Sequence, residues 1–170
     1  MRRLHLLLLG VYRRLPTWAR RFVVRRITPG FTVGSICIIE RADGAVLLVR
    51  HSYRRRWGTP GGLLARGEEP ADAAVREAAE EVGLAIELVG SPTVVVEPEA
   101  RRVDIIFRCR PAIGVDADSA IPRSPEITEC RWFDPTELPE LQAETADAVR
   151  ALTRAAAAPP SVPLPSVGER

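Results

Sequence analysis

The sequence contains no lysine, so arginine supplies every strongly basic side chain. Arginine suits bidentate contacts with phosphate oxygens, although a GC-rich genome would produce the same composition. There are only three cysteines, Cys37, Cys109 and Cys130, and no two of them are closely spaced. This argues against a zinc site or a disulfide framework, and the strand-like context of each cysteine predicts a small, buried apolar residue. An odd number of cysteines fits a reducing compartment, and we expect the cytoplasm.

The sequence also lacks a long apolar run, an internal repeat and a sign of a second domain. The run from Leu4 to Val11 is too short to cross a bilayer. Tyr12, Arg13 and Arg14 follow it directly, so it lacks the small-x-small cleavage site of a signal peptide. With 170 residues, 46% of them apolar, the chain is expected to form one domain with a substantial core.

Charge is distributed unevenly, because the first 26 residues contain eight arginines and no acid although the net charge is only +2. We interpret residues 1–30 as a basic arm of two amphipathic helical pieces. The second piece would begin at Pro16 and carry Trp18, Phe22 and Val23 on its apolar side. Such an arm could pack on the domain or on a second copy in a homodimer, or lie on an anionic membrane surface. We expect packing rather than membrane contact, and no specific nucleic acid, because aromatic residues are not interleaved with the arginines.

Residues 31–157 have the alternation of strand and helix patterns that is typical of an α/β domain. β-branched and apolar runs predict strands, and Ala42-Asp43-Gly44 is a turn that predicts a hairpin between the first two. An alanine-rich segment predicts a C-terminal helix, and the proline-rich tail 158–170 lacks periodicity and is expected to be disordered. The predicted strands are Phe31–Glu40, Ala45–Arg50, Ala85–Glu97, Val103–Arg110 and Glu129–Phe133, and the helix is Leu141–Ala157.

A second helix, before Gly83, is predicted to have an acidic flank and an apolar one. Glu77, Glu80 and Glu81 are spaced i, i+3 and i+4, so their carboxylates project from the same side. Oxygen ligands at this density suit a hard divalent ion such as Mg²⁺ or Mn²⁺. The alternative is a solvated acidic face. The residues expected to pack on a sheet are Ala71, Ala74, Val75, Ala78 and Val82.

The surrounding residues favour the metal site. From Gly62 to Leu84 the sequence has a glycine, five residues, Glu68, seven residues, and then REAAEEVGL. This resembles the Nudix box, G-x5-E-x7-R-E-U-x-E-E-x-G-U, in which U is a bulky aliphatic residue. Every charged and glycine position matches, and Ala78 is smaller than the usual aliphatic residue.

The resemblance implies an α/β/α sandwich with a mixed, curved sheet. It also implies hydrolysis of a nucleoside diphosphate linked to another moiety X, which gives a nucleoside monophosphate and phospho-X. By position in the box, Glu77, Glu80, Glu81 and the carbonyl of Gly62 would bind Mg²⁺ or Mn²⁺. Glu68 and Arg76 would brace the loop against the helix and orient a ligating carboxylate.

Outside the box, the general base and the substrate-binding residues are assigned less directly. Members of this family often use a further acidic residue as a metal ligand or general base, and we expect Glu126 in this role. Glu129, Glu97 and Asp104 remain alternatives. The residues expected to contact substrate are His51, Arg54 and Arg56, in the basic loop that precedes the box.

The box does not identify X. An ADP-ribose-like compound, a nucleotide sugar and a modified nucleoside triphosphate all remain candidates. The alternative to catalysis is a Nudix-fold module that binds nucleotides or regulates a partner without hydrolysis, although such modules usually lose box carboxylates and this chain retains all of them.

Overall fold

A computed structural model describes residues 12–157 of the chain. The predicted apolar run Leu4–Val11 and the predicted tail 158–170 lie outside these residues. In the described part, no helix is both long enough and apolar enough to span a membrane. The helices are α1 (Thr17–Ile27), α2 (Pro70–Val82) and α3 (Ala143–Ala157), with a 3₁₀ turn at Ala117–Ser119. The strands are β1 (Thr32–Ile39), β2 (Val46–His51), β3 (Trp57–Gly58), β4 (Gly61–Leu63), β5 (Ile86–Glu97), β6 (Arg102–Pro111) and β7 (Ile127–Phe133).

The strands form two sheets. The first has the order β4-β1-β6-β5 and is mixed, because β1 is parallel to β6 and antiparallel to β4. The second has the order β3-β2-β7 and is antiparallel throughout. The predicted α/β class with a mixed sheet is confirmed, and an antiparallel sheet accompanies the mixed one.

The predicted hairpin between β1 and β2 is wrong. Its turn does form, since the N–H of Arg41 donates to the carbonyl of Ala45 at 2.8 Å. However, the only pairing between the two arms is an isolated bridge from Glu40 to Val46. Both edges of β1 are occupied, by β4 and β6, so β2 turns away and joins the other sheet. A turn motif predicts the reversal of the chain but not which strands become neighbours.

The core has two apolar clusters, one for each helix that packs on the sheets. The cluster beneath α2 contains Ala74, Ala78 and Val82, together with inward-facing residues of both sheets. The cluster beneath α3 contains Ala148 and Trp57. Sheets enclosed between two helices are the predicted α/β/α arrangement.

The predicted apolar stripe on α2 is wrong at one position. Val75 is 41% exposed, whereas Ala73, which was not predicted, is fully buried. Val75 lies at the rim of the stripe, one quarter turn beyond the fully buried Ala74, where the sheet no longer covers the helix.

The cysteines are free and occupy strands, as predicted. Cys37 and Cys109 are buried and Cys130 is half-buried. The thiol of Cys37 donates to the carbonyl of Ala74 on α2 at 3.2 Å. The neighbouring Cys109 thiol, together with burial, raises the pKa of the Cys37 thiol well above its usual value. This thiol therefore stays protonated and packs as an apolar group.

Helix α1 begins after Pro16, as predicted, but its aromatic side chains do not pack on the domain. Trp18 is 74% exposed and Phe22 is 57% exposed. The guanidinium of Arg26 lies over the Phe22 ring, 5.1 Å from its centroid. Of the two packing alternatives, the exposure of these side chains argues against packing on their own domain; packing on a second copy stays a prediction, and membrane contact stays the alternative.

Candidate active site

The position of the acidic helix is fixed at both ends. Helix α2 begins with Pro70 in its first turn, where a missing N–H costs nothing. It ends at Gly83, whose left-handed φ of 68° lets its N–H reach back to the carbonyl of Ala79. Beyond it, the N–H of Arg123 donates to the carbonyl of Glu81 at 2.8 Å, which holds the loop before β7 against the helix end.

The two glycines of β4 lie close to different neighbours, Gly62 to α2 and Gly61 to β1. A Cβ on Gly62 would lie 2.3 Å from a carboxylate oxygen of Glu77. A Cβ on Gly61 would lie 2.4 Å from the carbonyl oxygen of Ser35 on β1. The backbone of β4 thus faces the acidic flank of α2 directly, without side chains between them.

The three predicted ligands differ in their environment. Glu81 is only 6% exposed, and its carboxylate accepts the N–H of Gly61 at 3.1 Å. Glu77 is half-buried; burial raises the pKa of its carboxyl, while the guanidinium of Arg76 opposes that rise. The Glu80 side chain is mostly exposed. Glu81 is therefore buried and oriented by a backbone N–H, whereas the Glu80 side chain lies at the surface.

Arg76 connects these carboxylates to the loop before the helix. It donates to both oxygens of Glu68, at 2.7 and 3.1 Å, and this lowers the pKa of the Glu68 carboxyl. Its Nη1 donates to Glu77 at 2.8 Å and to Glu80 at 3.0 Å. Glu68 also accepts the N–H of Ala65, so Arg76 and Glu68 fasten the loop to the helix.

The acidic flank opens onto a cavity of about 500 Å³, which we name the acidic cavity. Glu126 lines this cavity from the loop before β7. The N–H of Ser52 donates to the backbone carbonyl of Glu126 at 2.7 Å and holds this loop in place. The cavity thus brings Glu126 together with the three α2 carboxylates, from which it is distant in the sequence. It is lined by His51, Tyr53, Gly61, Gly62, Leu63, Glu77, Glu80, Glu81, Ser124 and Glu126.

The donor set of the acidic cavity fits a hard divalent ion, because it consists of carboxylate oxygens with the Gly62 backbone beside them. Within residues 12–157, however, no three acidic, histidine or cysteine side chains converge tightly enough to hold an ion as they stand. The reason is Arg76, whose guanidinium occupies the space between Glu77 and Glu80. Binding an ion would require the exposed Glu80 to leave Arg76, which is a change of side-chain rotamer.

A second cavity, of about 360 Å³, lies on the other side of β4, and we name it the neutral cavity. It shares His51, Tyr53 and the β4 backbone with the acidic cavity. Its charged side chains are two arginines and two acids, so their charges cancel. They are Arg54, Arg102, Asp104 and Glu144.

These four charges form a continuous chain of ion pairs. Glu144 accepts from Arg54 at 3.0 Å and from Arg102 at 3.1 Å. Arg102 also donates to Asp104 at 2.8 Å. Burial tends to raise the pKa of Glu144, but hydrogen bonds from its own backbone N–H and from both arginines lower it to about 2. Burial raises the pKa of Asp104, and Arg102 partly offsets this.

The three residues predicted to contact substrate differ in whether they line the two cavities. His51 lines both cavities, and its Nε2 lies 3.8 Å from Glu81. Arg54 lines the neutral cavity. Arg56 lines neither, and its guanidinium pairs with Glu140 at 2.6 Å.

The alternatives to Glu126 lie elsewhere. Glu129 pairs with Arg50 and Arg131 on the antiparallel sheet. Glu97 ends β5 outside both cavities, and Asp104 lines the neutral cavity.

Several residues of the site were not anticipated from the sequence, among them Arg102 and Glu144 of the ion-pair chain, Tyr53 and Gln142. Tyr53 lines both cavities, and its position beside His51 in the basic loop could have indicated it. Gln142 lines the neutral cavity, where its amide contacts Nδ1 of His51 at 3.1 Å and donates to the carbonyl of Arg56. Gln142 and His51 are 91 residues apart, and no sequence pattern indicates such a contact.

A carboxylate-bearing helix held against a glycine strand, inside an α/β/α sandwich, is the arrangement that the resemblance to the Nudix box predicts. The chain belongs to the Nudix family, because the model of the NUDIX domain matches residues 30–154. A MutT-like protein of Streptomyces ambofaciens is 32% identical over 116 residues, which are 68% of this chain and 72% of that protein. Family and relatives together identify the chain as a pyrophosphohydrolase.

A second relative and a solved structure also support membership of the Nudix family. A Mycobacterium tuberculosis protein named "Putative 8-oxo-dGTP diphosphatase 3" is 34% identical over 145 residues. The match covers 81% of this chain but only 66% of that relative. The crystal structure of a NUDIX hydrolase from Nitrosomonas europaea has a TM-score of 0.63 at 26% identity and covers 72% of this chain and 70% of its own.

Proposed function

We propose that this chain hydrolyses a phosphoanhydride bond in a nucleoside diphosphate linked to a moiety X, in a reaction that requires Mg²⁺ or Mn²⁺. The products are a nucleoside monophosphate and phospho-X. The observation that carries the proposal is the acidic cavity, which Glu77, Glu80, Glu81 and Glu126 line together with Gly61 and Gly62 of β4. The missing side chain of Gly62 leaves room for the Glu77 carboxylate beside the β4 backbone.

The box carboxylates would hold the divalent ion together with the Gly62 carbonyl. When bound, the ion lowers the pKa of an attacking water and neutralises charge on the phosphoryl oxygens. The buried Glu81 supplies a fixed ligand, because the Gly61 N–H orients its carboxylate. Glu80, whose side chain is mostly exposed, would supply a second ligand once its carboxylate leaves Arg76, which also holds Glu77.

Glu126 is the proposed general base. It lines the acidic cavity from a loop, across from the carboxylates of α2, and could accept a proton from water in the space between them. Burial and the neighbouring Glu126 carboxylate raise the pKa of the Tyr53 hydroxyl, so this phenol stays neutral at the rim. His51 and Arg54 are the proposed substrate contacts, since both line the neutral cavity next to the acidic one.

Several features of the substrate and the cell stay predictions. An ADP-ribose-like compound, a nucleotide sugar or a modified nucleoside triphosphate would present the same diphosphate to the acidic cavity. The name of the Mycobacterium tuberculosis relative supports a nucleoside triphosphate among these. A cytoplasmic location and a homodimer also stay predictions.

The test is hydrolysis by the purified protein with Mg²⁺ or Mn²⁺. The substrates are ADP-ribose, nucleotide sugars and nucleoside triphosphates with normal and oxidised bases, and products are identified by mass. Glu80→Gln should fold normally and lower turnover about a hundredfold or more, because it removes a metal ligand. Glu69→Gln is the matched control, since Glu69 is an exposed carboxylate that caps no N–H.

Calorimetric titration with Mn²⁺ gives a readout that does not depend on turnover. Weaker Mn²⁺ binding by Glu80→Gln, with Glu69→Gln unchanged, supports the metal site. Near-normal hydrolysis by Glu80→Gln contradicts it. Metal binding without hydrolysis of any substrate would favour the non-catalytic binding module.

A further inference from the structure

The neutral cavity contains a buried carboxylate with one oxygen unused. Asp104 is 6% exposed and lies on β6, in register with Gly34 on β1. Its Oδ2 accepts from Arg102 at 2.8 Å, while its Oδ1 makes no hydrogen bond within residues 12–157. Oδ1 lies 2.7 Å from the point that a Cβ on Gly34 would occupy, so the missing side chain of Gly34 leaves room for it.

Asp104 lines the neutral cavity, and because its Oδ1 accepts from no protein donor in residues 12–157, this oxygen can accept a hydrogen bond from a ligand. The nearby arginines leave little charge for a further phosphate, because Arg54 and Arg102 both pair with Glu144. The neutral cavity therefore suits an uncharged group that donates hydrogen bonds. The acidic cavity next to it already suits the metal and the diphosphate, so the group in the neutral cavity is a part of the same substrate.

We propose that the neutral cavity binds the nucleobase and that Asp104 selects guanine. This inference rests on the proposed function. An ionised carboxylate only accepts hydrogen bonds and has about four acceptor positions, of which Arg102 uses one. Guanine presents two adjacent donors, its N1–H and its 2-amino group, which match the two oxygens of Asp104. Adenine presents an acceptor at N1, and a carboxylate placed there would repel it.

The test separates the 2-amino group from the rest of the base by comparing dGTP with dITP, which lacks that group. We expect the wild-type protein to prefer dGTP in kcat/KM by about tenfold or more, since a donor to a buried carboxylate is lost with dITP. Asp104→Asn has nearly the same shape but carries an N–H₂ group in place of one oxygen. Asp104→Asn should abolish this preference, mainly by lowering kcat/KM for dGTP.

Two further variants make the result specific. Asp118→Asn is the matched control, because Asp118 is an exposed carboxylate that pairs with Arg41 away from both cavities. Its preference for dGTP should equal that of the wild type. Gly34→Ala changes the position of the Asp104 carboxylate instead of its chemistry, since the added methyl group would displace Oδ1. It keeps the carboxylate and should still reduce the preference, even if Asp104→Asn proves too unstable to purify.

Binding of GMP and IMP, measured by calorimetry in parallel, tests the inference independently of hydrolysis. Tighter binding of GMP to the wild type, lost in Asp104→Asn, supports base selection even in a protein that hydrolyses neither triphosphate; in that case only the proposed function fails. Equal binding of GMP and IMP to the wild type overturns the inference. So does a dGTP preference that persists in Asp104→Asn, and so does a clear preference for adenine nucleotides.

Discussion

Replacing Gly61 with alanine should separate β4 from β1. Gly61 has a φ of 153°, a conformation that other residues rarely adopt. A Cβ at this position would lie 2.4 Å from the carbonyl oxygen of Ser35 and 3.0 Å from the Cα of Ile36. Both are backbone atoms in the middle of β1, which is held on its other side by β6, so neither can move aside cheaply.

The expected cost has two parts. The unfavourable φ costs about 1–3 kcal/mol. Forcing the methyl group into a packed site costs about 1–3 kcal/mol more. The sum, about 2–6 kcal/mol, is a large share of the 5–15 kcal/mol by which domains are usually stable. With a typical slope of about 2 kcal/mol per molar urea, the midpoint should fall by about 1–3 M.

Gly67→Ala is the matched control. Gly67 also has a positive φ, of 81°, but no atom lies within 4 Å of the point that its Cβ would occupy. Its replacement should cost only the backbone part, about 1–2 kcal/mol. Urea unfolding followed by circular dichroism measures both variants. An equal cost for Gly61→Ala and Gly67→Ala would refute the close approach of β4 to β1. Gly61→Ala should also lose turnover, because its N–H no longer orients Glu81.

Two more predictions concern the periphery of the site. Because the pKa of Glu144, about 2, lies below its ordinary value of 4.5, its contribution to stability is complete above pH 4.5 and is lost as the pH falls towards 2. Acid unfolding of Glu144→Gln should therefore depend less on pH in this window, and an unchanged profile would contradict the ion-pair chain. Replacing both Trp18 and Phe22 with serine should change the free energy of unfolding by less than about 0.5 kcal/mol, since both are exposed. Sedimentation of the same variant tests the predicted homodimer, which should dissociate if these residues form its interface.

The parts of the site that could be predicted are those encoded by local spacing. Glu77, Glu80 and Glu81 share a flank of α2 because of the helical repeat, and the structure places all three on one cavity. Arg76 pairs with Glu68, as the box predicts, because a short link and about two helical turns separate them in the sequence. Neither inference requires knowledge of which strands are neighbours.

The parts that could not be predicted depend on the pairing of distant strands. The hairpin turn at Asp43 did not reveal that β1 and β2 belong to different sheets, since that depends on β4 and β6 occupying the edges of β1. The position of Asp104 beside Gly34 follows from the same parallel pairing of β1 with β6. Gln142 reaches His51 only because α3 packs across the sheets.

This division has a physical cause that bears on function. The groups proposed for the chemistry come mostly from one continuous segment, because a loop and a helix can present a glycine and three carboxylates to the same diphosphate. The groups of the neutral cavity come from β1, the end of β2 and the loop after it, β4, β6 and the start of α3. Asp104, on β6, makes no hydrogen bond with the described residues of α2, so exchanging its side chain would alter the base that fits and leave the α2 carboxylates in place. Sequence spacing therefore predicts the reaction well and the substrate poorly, and exchanging Asp104 should change which nucleotide is cleaved while leaving Mn²⁺ binding unchanged.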